Sequence, residues 1–297
     1  MKLSNMKPIK TWKSFDEQIE ILQKRGLIID DVNKSLGYLR MIGYYRLSGY
    51  LYSFRQIDKN NPKTRLDDFI IGSTFQDVKA LYVFDKKLRQ LALDALERIE
   101  IALRVNIAHT LGRYDPLAYK NSVCFSNKFD HNKWLNKHQE LIKRHKDNSF
   151  VKHHLQHYAD FPIWAVCEVW DFGTMSKLYQ GMKSQDKNQI AKLYNLADGK
   201  VLQTHLHAFN FIRNVSAHHS RLWNKPIVFK ANLKGFDGQW RQLPIEKPFV
   251  YFCLMKRMLD VICPNSTWGE RFLALLEEFP QVENGAISLE QMGVIAN

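Results

Sequence analysis

Arg213, Asn214 and His218 stand close together in the stretch Phe211-Ile-Arg-Asn-Val-Ser-Ala-His-His-Ser-Arg-Leu-Trp-Asn224, inside an otherwise apolar run. Arginine carries a permanent planar charge that grips a phosphate through two N–H groups at once. Histidine gains or loses a proton near neutral pH. A phosphate clamp beside a proton carrier is the minimum equipment for cleaving RNA without a metal, because the 2′-hydroxyl must lose its proton while charge on the phosphate is stabilised. A second histidine, His219, and Arg221 crowd the same segment and add to its grip on a polyanion. An isolated Arg-x4-His pair is also what a helix end uses to satisfy its last carbonyls, so the spacing alone leaves both readings open.

The element that must position these residues is a helix starting at Gly199 or Lys200 and ending before Pro226. At about 100° per residue, His207, Asn214, His218 and Arg221 share one polar column. Leu202, Phe209, Ile212, Ser216 and His219 lie largely on the other side. Arg213 and His218 are roughly 140° apart on such a helix. The Arg side chain must curl round, the helix must distort, or the two residues must meet a second copy across an interface.

A second candidate comes from the longest helix, which opens at Thr74 with Asp77 three residues on and runs to about Gly112. Leu81, Phe84, Leu88, Leu91, Ala95, Ile99 and Ala102 alternate spacings of three and four, the seam of a helical bundle. Extending the seam reaches Asn106 and His109 beside Arg104, so Arg104 and His109 repeat the Arg-x4-His spacing as a second half-site. The other reading is a seam that surfaces at the helix end.

Most other segments also read as helix: Phe15 to Arg25, Asp30 to Met41, an aromatic continuation from Tyr44 to Phe54, Lys133 to His145, Ser149 to Tyr158, Ile163 to Trp170, Gly173 to Gly181, Asp186 to Tyr194, Pro248 to Ile262 and Thr267 to Glu278. Asp237-Gly238 between Phe236 and Trp240 reads as the turn of a small β-hairpin over 235–245. The tail from Pro280 reads as loose. The expected fold class is therefore all-α. Its segments are an N-terminal helical region over 1–72, a helical core over 73–230 and C-terminal helices over 231–297, with no linker that argues for separable domains.

The chain has 297 residues, 45% of them hydrophobic, enough for a sizeable core. Its 43 basic and 30 acidic residues leave a formal net charge of +13. That favours a polyanion as partner, most simply RNA or DNA, with an anionic membrane surface as the lesser option. No run approaches the roughly 18 apolar residues of a membrane span, and the first 33 residues are too charged for a secretory leader. Cys124, Cys167, Cys253 and Cys263 form no C-x-x-C pair and read as reduced thiols, which points to the cytoplasm. Arg40, Tyr45 and Arg46, within a run of tyrosines and arginines, read equally as a base-stacking, phosphate-holding surface or as aromatic helix packing. His153 and His157 have the helical spacing of a metal pair, yet Asp160 is the only acidic or thiol group nearby in sequence, so a basic patch is the better reading and no metal or other cofactor is expected. Asp171-Phe-Gly173 copies a kinase magnesium triplet without the companion motifs.

Four segments together resemble the Abi-like (abortive infection) protein family of bacteria. They are Lys24-Arg-Gly-Leu27 with Tyr38-Leu-Arg-Met-Ile-Gly-Tyr-Tyr-Arg-Leu-Ser-Gly-Tyr50; Tyr82-Val-Phe-Asp-Lys-Lys-Leu-Arg89 with Glu97-Arg-Ile-Glu-Ile-Ala-Leu-Arg104; Pro162-Ile-Trp164 with Glu168 and Phe172-Gly173; and Arg213 to Asn224. The last resembles the signature of the HEPN superfamily, an all-helical fold with an Arg-x4–6-His motif and a polar residue after the Arg. The resemblance implies a HEPN-type bundle and a metal-independent endoribonuclease of anti-phage defence, often wired as a toxin. It implies Arg213 and His218 as the catalytic pair, oriented by Asn214. It also implies two facing motifs, supplied by a homodimer or by Arg104 and His109 of the same chain. A toxin must be restrained in its host, so a structured inhibitory or guide RNA is expected beside the substrate RNA. The contrasting expectation is a non-catalytic RNA-binding module using the same residues.

Overall fold

The computed structural model of the chain describes residues 9–295. The first eight residues, part of the segment whose charge argues against a leader, lie outside the described residues. The described chain is all-α with one small antiparallel hairpin. It packs as two compact units. The first runs up to Lys86 and includes Glu278–Ser288; the second comprises Lys87–Glu277 and the residues from Leu289. These units do not coincide with segments ending at 72 and 230.

The first unit contains α1 (Phe15–Lys24), α2 (Val32–Ile42), α3 (Tyr44–Leu51), the hairpin strands β1 (Arg55–Asp58) and β2 (Asn61–Phe69), and residues 75–86 of α4 (Phe75–Gly112). Ser14 caps α1 in a capping box with Glu17, and Asp31 caps α2, as short polar side chains do for the unpaired first N–H groups. Gly43, at φ 86°, ends α2 and begins α3 without the steric cost a side chain would meet there. In the buried interior the Tyr50 hydroxyl donates to Asp85 at 2.6 Å, and Phe84 meets Phe279 edge to face at 5.0 Å. Arg25 and Arg55 both bond Asp67 at 3.0 Å, tying the hairpin to α1.

The second unit contains the rest of α4, then α5 (His131–Arg144), α6 (Ser149–His157), α7 (Ile163–Val166), α8 (Phe172–Gly181), α9 (Ser184–Leu193), α10 (Gly199–Ala217), α11 (Gly238–Gln242), α12 (Pro248–Ile262) and α13 (Trp268–Glu277). α10 packs against α8, α9 and α12, and α5 packs against α8. Trp170, Trp223 and Trp268 are fully buried; the indole N–H of Trp268 donates to the Leu91 carbonyl at 2.9 Å, so its one polar atom is satisfied inside the core.

Three expectations are corrected. The hairpin lies at 55–69, and over 235–245 Asp237 accepts from Gln239 and Trp240 and starts α11 instead of a turn. An Asp–Gly pair serves either purpose, and here the aspartate serves as a helix cap. The tail from Pro280 is packed: Ala286, Ile287 and Met292 are buried. The apolar seam of α4 does not continue through Asn106 and His109. Leu103, Ile107 and Leu111 take it over, and His109 is exposed.

Candidate active site at the end of α10

α10 starts at Asp198, whose carboxylate accepts from the backbone N–H groups of Lys200 and Val201. Its inner face buries Leu202, Leu206, Phe209 and Ile212 completely. Its other face carries Gln203, His207, Asn210 and Asn214, spaced by four, three and four residues, which aligns them in one polar stripe. The helix stops at Ala217 and not near Pro226, so Arg221 lies beyond it, half-buried, and is not part of the helical column.

The stop has a definite geometry. His218 is the C-cap, and its backbone N–H bonds the Asn214 carbonyl at 3.0 Å. His219 takes the left-handed conformation at φ 57°, its N–H reaches the Ser216 carbonyl at 3.1 Å, and the N–H of Ser220 reaches the Val215 carbonyl at 2.9 Å. These two bonds are a Schellman motif, which closes a helix and is usually built on glycine. Leu222 and Trp223 are then fully buried and anchor the departing chain. The backbone around His218 is thus fixed while its imidazole stays exposed. Arg213 is half-buried one turn earlier, with Nη1 3.4 Å from Asn214 Oδ1.

α4 meets the same site. Arg104 pairs with Glu100, donates to the Trp170 carbonyl at 2.6 Å and lies 3.6 Å from Glu168. Burial pushes the Glu100 carboxyl up, against the pull of the Arg104 and Arg213 charges, and Asp171 adds to the upward push. Glu100 therefore lies within electrostatic reach of both arginines, and the structure brings Arg104 and Arg213 of the two Arg-x4-His segments into one neighbourhood. Asn106 donates to the Tyr194 hydroxyl at 2.6 Å. His109 is exposed and has no hydrogen-bond partner among the described residues. Asp171, first read as a chance resemblance to a kinase triplet, caps α8 by accepting from the Thr174 N–H at 2.7 Å.

Arg40, Tyr45 and Arg46 belong to the first unit, where all three are exposed, Tyr45 almost completely. His153 and His157 are exposed on α6 with ring centroids 4.6 Å apart. Among the described residues no cluster of three or more His, Cys, Asp or Glu is arranged to hold a metal, and the four cysteines are free. Glu100, Gln203 and Asn210 were not singled out in the sequence. The spacing of Gln203, His207, Asn210 and Asn214 was the available signal for two of them; Glu100 had none beyond its place one turn before Arg104.

The site therefore combines a half-buried guanidinium, an amide and an exposed imidazole at a closed helix end, the groups needed to hold a phosphate and to move a proton beside it. A model of the Abi-like protein family matches residues 37–224, more than half of the chain, and the chain belongs to that family. The match ends at Asn224, the last residue of the Arg213 segment. Membership suggests a role in abortive infection, a form of defence. No curated protein and no solved structure matches the chain. No helix among the described residues is long and apolar enough to cross a membrane.

Proposed function

We propose that the protein is a HEPN-type endoribonuclease that works without a metal, the RNA-cleaving toxin of a cytoplasmic bacterial anti-phage or toxin–antitoxin system. The observation that carries this reading is the placement of exposed His218 at a Schellman-closed helix end, one turn from Arg213 and Asn214. In the reaction the 2′-oxygen attacks the adjacent phosphorus as a base takes the 2′-hydroxyl proton. The bond from phosphorus to the 5′-oxygen breaks, and an acid returns a proton to that oxygen. The products are a 2′,3′-cyclic phosphate and a 5′-hydroxyl. Arg213 stabilises the charge that builds on the phosphoryl oxygens, and Asn214 holds Arg213 and the phosphate in register. His218 is the base or the acid.

One imidazole fills only one of those roles at a time. The second set comes from a partner copy, so that two His218 side chains face one phosphate. The engagement of Arg104 with Glu100, Glu168 and the Trp170 carbonyl supports this arrangement over an internal Arg104–His109 half-site. The deciding experiment incubates purified protein with total RNA in EDTA and maps the ends produced. Cyclic phosphate ends formed in chelator support the reading. Binding without cleavage would assign the protein instead as a non-catalytic RNA-binding module.

A further inference from the structure

A cleft of about 760 Å³ opens in the second unit along the outer stripe of α10, walled by α5 and α8. That volume lies inside the range of roughly 300–1,000 Å³ typical of ligand sites. Five lysines line it: Lys128, Lys133, Lys137, Lys177 and Lys187. The carboxylates on its walls are Asp130 and Asp171, and each already caps a helix, accepting from Lys133 N–H at 3.0 Å and from Thr174 N–H at 2.7 Å. Lys137 pairs with Glu140 at 3.1 Å on the exposed side, and among the described residues no other cleft lysine has a carboxylate partner. Lys187 rests on neutral oxygens, the Gln180 carbonyl at 3.2 Å and Gln203 Oε1 at 3.3 Å. Five lysines against two carboxylates leave the lining net positive, and a concave surface of net positive charge attracts an anionic ligand.

The α10 wall of the cleft carries amides and an imidazole, His207, whose burial pushes its pKa down and so favours the neutral form. Gln203, His207 and Asn210 line it from α10, and the Nε2 atom of His207 is buried without a hydrogen-bond partner among the described residues. Amides and a neutral imidazole suit base edges and 2′-hydroxyls, while lysine ammonium groups suit phosphates as point charges. The cleft also adjoins the motif. Asn210 precedes Asn214 by one helical turn, about 6 Å along the axis. Asp171, on the cleft wall, acts on the same Glu100 carboxyl as Arg213.

We infer that this cleft holds the unpaired nucleotides of an RNA strand adjoining the phosphate at Arg213 and His218, with Lys133, Lys137 and Lys177 on its phosphates and Gln203, His207 and Asn210 on its bases and sugars. The inference rests on the reading of that motif as the place of cleavage. A strand so held enters the site single-stranded, and the cleft sets which nucleotides flank the cut.

The test measures binding of a fluorescein-labelled single-stranded RNA by anisotropy across a salt series, with His218→Ala in every protein so that the probe survives. The triple variant Lys133→Ala/Lys137→Ala/Lys177→Ala removes three exposed cleft lysines; Lys24→Ala/Lys59→Ala/Lys63→Ala removes three exposed lysines of the first unit. The cleft triple is expected to bind at least tenfold more weakly. Its log–log salt slope should be shallower by about two, since each single-strand phosphate contact contributes about 0.7. The control triple is expected to lose threefold or less. Equal losses in the two triples, or unchanged affinity in the cleft triple, would overturn the inference. Cleavage by the protein with His218 intact is scored separately. A protein that binds through the cleft but never cleaves sinks the nuclease reading and leaves the cleft standing only as an RNA-binding site; one that cleaves with cleft-independent binding keeps the nuclease reading and sinks the cleft.

Discussion

The guanidinium of Arg104 donates to the backbone carbonyl of Trp170 at 2.6 Å while pairing with Glu100 on its own helix. One side chain thereby fastens α4 to the segment leading into α8 and neutralises a carboxylate that burial would otherwise leave costly. Arg104→Met should lower unfolding free energy by on the order of 2 kcal/mol, because Glu100 and the Trp170 carbonyl lose their donor together. Arg104→Met/Glu100→Leu should lose less than the single variant, since no buried carboxyl is then left alone. Urea melts of the three proteins check this; a double variant less stable than the single one would rule the account out.

Two buried histidines set a pH window for stability. Burial pushes His138 down to about 4, helped by Lys120, and His205 down to about 4, helped by Arg257. His138 Nδ1 accepts the Trp170 indole N–H at 3.0 Å, and His205 bonds the Asn232 carbonyl at 3.0 Å with its other nitrogen unpartnered among the described residues. Both must stay neutral in the fold. Unfolded histidine takes up its proton near pH 6.5, so the unfolded chain binds more protons between that pH and about 4. The stability from these groups is fully present above about pH 6.5 and is lost as pH falls toward 4, by about 1.4 kcal/mol per pH unit for each histidine. Urea midpoints across that window should show the decline, and His138→Gln or His205→Gln should each flatten it. Slopes identical in all three proteins would refute this assignment.

The long helix and the motif were legible because their signals are local. The Thr74 and Asp77 side chains bond each other's backbone N–H groups at 3.0 and 3.1 Å, and the seam above them carries apolar residues at helical spacing. The hairpin at 55–69 was not, because β2 is exposed along most of its length and so has no apolar–polar alternation to read. The end of α10 was missed for a different reason. A helix closed on a left-handed residue is usually announced by glycine, and here the position holds His219. Glu100 became visible as part of the site only when folding placed it near Arg213.

That left-handed histidine can be tested directly. A side chain at φ 57° costs about 1 kcal/mol relative to glycine, and a β-branched side chain costs more. His219→Gly should melt above His219→Val, both having lost the imidazole, with a stability gap between them above about 1 kcal/mol. Equal melting temperatures for the two variants would mean that the helix end does not depend on this conformation.

The number of half-sites follows from stoichiometry. The imidazole of His218 is exposed, so His218→Ala should fold with an unchanged melting temperature yet lose cleavage by at least a factor of about 100, the lower end of what a positioned acid or base contributes. If two copies of His218 face one phosphate across a two-fold axis, a wild-type subunit paired with a His218→Ala subunit has one imidazole and is inactive. Titrating wild-type protein with excess His218→Ala protein should then drive activity toward zero as mixed dimers replace wild-type ones. His109→Ala should remain active throughout, because His109 stands exposed beside an Arg104 already held by Glu100 and the Trp170 carbonyl. Chromatography of the active wild-type protein should give a dimer. A monomer of full activity that His109→Ala silences, and that excess His218→Ala protein leaves untouched, would move the second half-site into the same chain.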